Sequence, residues 1–167
     1  MEIVKEFNYS NLITDKQQKN AIQIVDKIIK SGNWVKSHPK FQTHPNLFLY
    51  DEFKIFKETF LYSCFKYINY EETLNYKIRM WVFRNNRFES CKKTNEKLWH
   101  KHGNIGDNQI SGIYYLRNFR KEGTIFENFE LKVKPYTWYL YPSHLLHRPP
   151  TIKSFRNRYT LAADFFY

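Results

Sequence analysis

From Tyr76 onward the chain breaks into short runs of β-branched and aromatic residues separated by turn residues, and this texture constrains the fold more than any other feature. The runs are Tyr76 to Arg84, Leu98 to His102, Ile110 to Leu116, Gly123 to Phe126, Leu131 to Val133, Thr137 to Tyr141 and Arg158 to Phe166. Short strands at close spacing with turn signals between them predict an antiparallel sandwich or barrel. In the first run Ile78, Met80 and Val82 fall on one side, the period-two pattern of a half-buried strand. The stretch from Arg84 to Glu96 is charged and without period, a loop of the kind that carries selectivity.

The part before Tyr76 reads differently. Ile3 to Phe7 suits a short leading strand. Thr14 then opens a helix, with Gln17 placed to complete a capping box. Ile22, Val25, Ile28 and Ile29 form an apolar stripe at helical spacing, and Gly32 stands where a left-handed cap would end it. Ser37 to Pro45 reads as an irregular loop, and its His38 and His44, beside prolines, are set aside as solvated. Asp51 is the expected N-cap of a second helix, whose apolar face is Phe53, Phe56, Phe60, Leu61, Cys64 and Phe65. The expectation is a mainly β chain with N-terminal helices: one domain over 1–167, with 1–72 a helical lead and buttress and 73–167 the β-core.

A hydrophobic share of 42% and an aromatic share of 19% supply a substantial core. No apolar run is long enough to span a membrane, and the first ten residues lack the apolar centre of a secretory signal. Cys64 and Cys91 form no disulfide or zinc framework, so a reducing, cytoplasmic setting is expected. The net charge of +11 has two readings. It is an electrostatic footprint for nucleic acid or an acidic substrate, or compositional bias in a chain rich in Lys, Asn, Ile, Tyr and Phe. The charges are scattered, as at Arg84, Arg87, Lys92, Lys93, Arg117, Arg120, Lys132 and Lys153.

The chemistry concentrates in Trp99 to Leu116, WHKHGNIGDNQISGIYYL. In an extended strand residues i and i+2 share a face, so His100 and His102 would converge on one point. An open metal site generally takes a third protein ligand, and His147, ahead of the final strand, is the candidate. His144 is its rival but sits in the Pro142-Ser143-His144 turn.

Taken together, His100-Lys101-His102, Ile113-Tyr114-Tyr115-Leu116, Gly123-Thr124-Ile125-Phe126, His147 and Arg158-Tyr159-Thr160 resemble the Fe(II)- and 2-oxoglutarate-dependent dioxygenases, in particular the prolyl-hydroxylase-type branch. The resemblance covers roughly Tyr76 to Tyr167. It implies a double-stranded β-helix (jelly-roll) core and hydroxylation of a substrate coupled to consumption of O2 and conversion of 2-oxoglutarate to succinate. It implies His100, His102 and His147 as iron ligands and Arg158 as the cation for the distal carboxylate of 2-oxoglutarate, where a planar guanidinium is apt. Thr160, on the same strand face, and Tyr115 would add hydroxyls to the cosubstrate. A one-residue slip would exchange Tyr115 for Tyr114.

Two departures from the family pattern stand out. His102 occupies the place of an aspartate, which removes one negative charge from the ligand set. Asp107 follows at a spacing that would let it complete the site as in cupins, or simply stabilise a turn. In addition, Tyr136 and Thr137 stand near a position where the family often has glycine. A cupin-like metal protein without 2-oxoglutarate and a non-catalytic basic β-core binding nucleic acid or a partner protein are the competing readings. The substrate itself, whether protein side chain, nucleic acid or small molecule, is not specified by these motifs.

Overall fold

The structure, a computed structural model, describes residues 4–37, 40–69, 75–87, 98–119 and 121–167. Ile3, His38, Cys91, Lys92, Lys93, Arg120 and most of the Arg84-to-Glu96 loop lie outside the described residues. In chain order the elements are β1 (Lys5–Asn8), α1 (Asp15–Lys30), β2 (Val35–Ser37), β3 (Lys40–Gln42), two short 3-10 turns, α2 (Lys54–Ile68), β4 (Lys77–Asn85), β5 (Gln109–Arg117), β6 (Glu122–Phe126), β7 (Glu130–Lys132), β8 (Thr137–Pro142), β9 (His147–Arg148) and β10 (Arg158–Phe166). The described residues are therefore mainly β with two helices, and their strands pair antiparallel in two sheets. The larger has the order β1-β8-β5-β10-β4-β3-β2, the smaller β7-β6-β9.

Strand periodicity divides the molecule into layers. Met80 and Val82 of β4, Ile110, Tyr114 and Leu116 of β5, Trp138 and Leu140 of β8, and Tyr159, Leu161, Ala163 and Phe165 of β10 bury their side chains with the helices. The alternate residues Ile113, Tyr115, Tyr139 and Tyr141 pack against Phe126 and Leu131 of the small sheet. That second face of the large sheet carries the polar cleft.

The helix expectations hold in detail at α1. Thr14 caps it, accepting from Gln17 N–H at 3.3 Å while Gln17 Oε1 accepts from Thr14 N–H at 2.8 Å. Gly32 beyond its end has φ +78°. Asp51 does not cap α2. It begins the 3-10 turn Asp51–Phe53, and α2 starts behind Phe53 without a side-chain cap, because the fully buried Phe53 anchors the entry by packing.

Two loop and strand expectations are corrected. Within Ser37 to Pro45, Lys40–Gln42 is a strand paired to both β2 and β4; the ring of Phe41 packs on Trp34 at 4.3 Å and lies under Arg84. The segment Leu98 to His102 is not a regular strand but makes a single bridge, His100 to His147. It bends because His102 N–H and Gly103 N–H both donate to Ser143 O, at 2.9 and 3.1 Å, a close approach in which a Cβ on Gly103 would meet Ser143 Oγ at 2.5 Å.

Candidate metal centre

The bridge fixes two of the histidines by their backbones. His100 N–H donates to His147 O at 3.0 Å and His147 N–H to His100 O at 2.9 Å. Their rings lie 4.4 Å apart, and the His102 ring stands 5.3 Å from His100 and 5.1 Å from His147. One ring nitrogen from each of His100, His102 and His147 lies within 4.8 Å of the others.

The second nitrogen of each ring is committed. His100 Nδ1 bonds Leu98 O and His147 Nδ1 bonds Leu145 O, both at 2.8 Å. His102 Nδ1 bonds Asp164 Oδ1 at 2.8 Å. Carbonyls and carboxylates only accept, so each Nδ1 carries the proton, and in the neutral ring Nε2 is then the nitrogen able to ligate a cation. This is how metal-binding imidazoles are held in one tautomer and one orientation. The Tyr141 hydroxyl lies 3.3 Å from His147 Nε2, covering the lone pair for which a metal ion would compete. Burial, with smaller contributions from Asp164 and Tyr115, pushes the Tyr141 hydroxyl well above its usual range, so it stays protonated.

The cleft beside the histidines is lined by both sheets, including Phe83 and Asn85 of β4, Ile113 of β5, Thr124 of β6 and Arg158, Thr160 and Ala162 of β10. Arg158 is 3% exposed, and its Nε donates to Asn118 Oδ1 at 3.1 Å. Its guanidinium also lies over the Tyr115 ring at 4.9 Å. Thr160 Oγ1 and Asn85 Oδ1 are buried with no hydrogen-bond partner among the described residues. A buried polar atom left unpaired is costly, and here both sit in a cleft that also holds a buried cation. A small carboxylate-bearing ligand at that end would accept from the Thr160 hydroxyl, with a metal held by the histidines at the other, whereas Asn85 Oδ1, an acceptor, calls for a donor such as water. The residues present therefore fit an iron ion together with 2-oxoglutarate.

The Tyr115 hydroxyl lies behind Arg158, between that guanidinium and Thr124. It accepts from Thr124 N–H at 2.8 Å and pairs with Thr124 Oγ1 at 2.9 Å. Burial raises its pKa, while Arg158 and Thr124 oppose the rise. It thus supports Arg158 from beneath and ties β5 to β6. Asp107 is exposed, and its Oδ2 accepts from Asn104 N–H at 2.6 Å; it closes the turn. His144 does not join the three-histidine cluster.

The sequence alone does not mark Asn85, Asp164 or Tyr141 as cleft residues. A signal existed for Asp164, because the face carrying Arg158, Thr160 and Ala162 continues to it with period two. Asn85 gives none, as it reaches the cleft only by pairing with Arg158 across β4 and β10.

No family model and no curated protein matches the sequence. Solved structures do match the fold. A viral collagen prolyl hydroxylase from Paramecium Bursaria Chlorella virus-1, in a complex with 2-oxoglutarate, aligns with a TM-score of 0.59 at 13% identity, covering 98% of this chain and 96% of that one. The chain shares its fold with this enzyme and with the two solved structures that follow. A prolyl hydroxylase from Trichoplax adhaerens, in complex with a hypoxia inducible factor oxygen degradation domain peptide fragment, aligns at 0.65 with 13% identity, covering 99% and 84%. HygX from Streptomyces hygroscopicus, with nickel and 2-oxoglutarate bound, aligns at 0.68 with 8% identity, covering 98% and 82%. At these identities the likeness is one of fold. No helix among the described residues is long and apolar enough to cross a membrane.

Proposed function

We propose that this protein is an Fe(II)- and 2-oxoglutarate-dependent oxygenase on a double-stranded β-helix core, which hydroxylates a substrate with O2. The observation that carries the reading is the convergence of three Nδ1-anchored histidines beside a buried Arg158 and Thr160. His100, His102 and His147 would hold the iron through Nε2, and three histidines on one face leave coordination positions for cosubstrate and oxygen. When bound, iron and 2-oxoglutarate supply oxidising power, with succinate and carbon dioxide as products.

The chain's own residues bind and orient. Arg158 would take the distal carboxylate, with Asn118 on its Nε and the Tyr115 ring beneath holding the guanidinium in place. Thr160 would donate its hydroxyl to the same carboxylate. Ala162, flanked in register by Trp81 and Ile113, leaves room for the cosubstrate's carbon chain. Trp81 packs against His102, and Phe126 and Tyr141 against His147; these rings would shield a bound metal from water, which strengthens electrostatic interactions.

The test is anaerobic titration of Fe(II) and then 2-oxoglutarate into the protein, following the metal-to-ligand charge-transfer absorption and, on admission of air, succinate release. A charge-transfer band with one equivalent of cosubstrate is expected. Metal binding with no cosubstrate affinity would turn the reading to a cupin-like metal protein; binding of neither would leave a non-catalytic β-core.

A further inference from the structure

Resting on the metal-site reading above, we infer that Asp164 is a positioning residue that lends its negative charge to the metal centre through His102. Asp164 lies in β10, 1% exposed, on the strand face that carries Arg158, Thr160 and Ala162. A carboxylate this deeply buried is retained only when it is paired and hydrogen-bonded. Its Oδ1 accepts from His102 Nδ1–H at 2.8 Å and from Ser111 Oγ at 2.7 Å, and its Oδ2 lies 3.3 Å from Arg79. Ser111 and Arg79 are its register partners on β5 and β4, so the large sheet aims the carboxylate at the ring.

The three imidazoles are not equivalent in this respect. The Nδ1 atoms of His100 and His147 are backed by neutral carbonyls, those of Leu98 and Leu145, whereas that of His102 is backed by a carboxylate. A charge-assisted hydrogen bond is stronger than a neutral one and makes the imidazole a better donor to a cation. The three-histidine set is neutral by itself; with Asp164 behind it the centre carries one negative charge toward a divalent ion. Arg79 works in the opposite direction. Its side chain is half exposed, it stacks on Phe166, and from the solvent side it draws part of the Asp164 charge away from the ring.

The experiment measures Mn(II) dissociation constants on the full chain, with circular dichroism of the metal-free proteins reporting the fold. Asp164→Asn keeps the shape and removes the charge; metal affinity is expected to fall roughly 10–100-fold, and the ligand-field spectrum of bound Co(II) to shift. In a His102→Asp background, where the carboxylate binds metal directly, adding Asp164→Asn is expected to leave affinity unchanged or improve it. Arg79→Gln, outside the ligand set, is expected to tighten Mn(II) several-fold and gives an independent reading if an Asp164 variant fails to fold. Equal losses from Asp164→Asn in both backgrounds would show a role in the scaffold only and overturn the inference. So would an unshifted Co(II) spectrum, or unchanged affinity in Arg79→Gln. A wild-type protein that binds neither Mn(II) nor Fe(II) would overturn the oxygenase reading itself, and the inference with it.

Discussion

The ring of Phe60 in α2 lies so close over Gly112 in β5 that a Cβ on Gly112 would stand 2.6 Å from Phe60 Cε2. The same Cβ would come 3.3 Å from Trp138, whose Nε1 donates to Thr59 Oγ1 at 3.1 Å. Glycine at this position is what lets the helix sit down on the sheet. Gly112→Ala is expected to destabilise the chain by about 1–3 kcal/mol through overpacking, measured by urea unfolding. Combining it with Phe60→Leu should recover part of that loss; strict additivity of the two would refute the contact as the cause.

Arg158 and Arg156 separate cosubstrate binding from surface charge. Arg156 is exposed and stacks over Phe119, whereas Arg158 is buried in the cleft. Removing Arg158 would leave a bound carboxylate desolvated without its cation, a loss of roughly 3–5 kcal/mol, or more than about a hundredfold in affinity. Arg158→Ala is expected to abolish 2-oxoglutarate binding by calorimetry while Mn(II) still binds, and Arg156→Ala to change little. Matching losses in the two variants would remove Arg158 from the cosubstrate site.

His147 and His144 make the corresponding pair for the metal. Mn(II) is expected to stabilise the wild type thermally, a chelator to reverse this, and His147→Ala to abolish it; a ligand at a hundred times its dissociation constant contributes about 2.7 kcal/mol. His144→Ala should retain it. Equal behaviour of the two would put the distal ligand elsewhere.

Alkaline pH should unfold the protein through its tyrosines. Tyr139 and Tyr159 are pushed up to about 12, in each case mainly by burial, with hydrogen bonding to Asp26 adding to the rise at Tyr159. The folded chain therefore keeps protons that the unfolded chain, titrating near 10, gives up. Their contribution is fully present below about pH 10 and is lost as pH rises through 12. Tyrosinate absorbance and near-ultraviolet circular dichroism should change together in that window. Stepwise ionisation with the dichroism intact would contradict this.

What the sequence shows of this structure follows from how local each cause is. The capping box of Thr14 and Gln17 and the alternation from Arg158 to Phe166 are local signals, and both are realised. His100, His102 and His147, picked out by spacing and order, lie together in space, although the first pair sits on a bend rather than a strand; Gly103 against Ser143 creates that bend, a contact with no local sign. Strand β9 has two residues between a turn and a pair of prolines, too short to carry any period. The Tyr115 hydroxyl meets Thr124 across the sheets and Arg158 on the neighbouring strand, pairings which only the tertiary structure reveals.

The strand order has a kinetic consequence. Strand β10 follows every other strand in the sequence yet sits between β5 and β4 in the sheet. While the ribosome is still making residues 118–157, the facing edges of β4 and β5 have nothing to pair with, and both are rich in residues that favour strands. Open edges of this kind template association with other chains, and pairing over such sequence separation is slow. The nascent chain must wait for Arg158–Phe166 to act as the keystone of its main sheet, and a ribosome-bound chain stalled before Arg158 should stay protease-sensitive and recruit chaperones. The same strand brings in Arg158, Thr160 and Asp164, so half the chemistry of the cleft arrives in the moment the sheet closes.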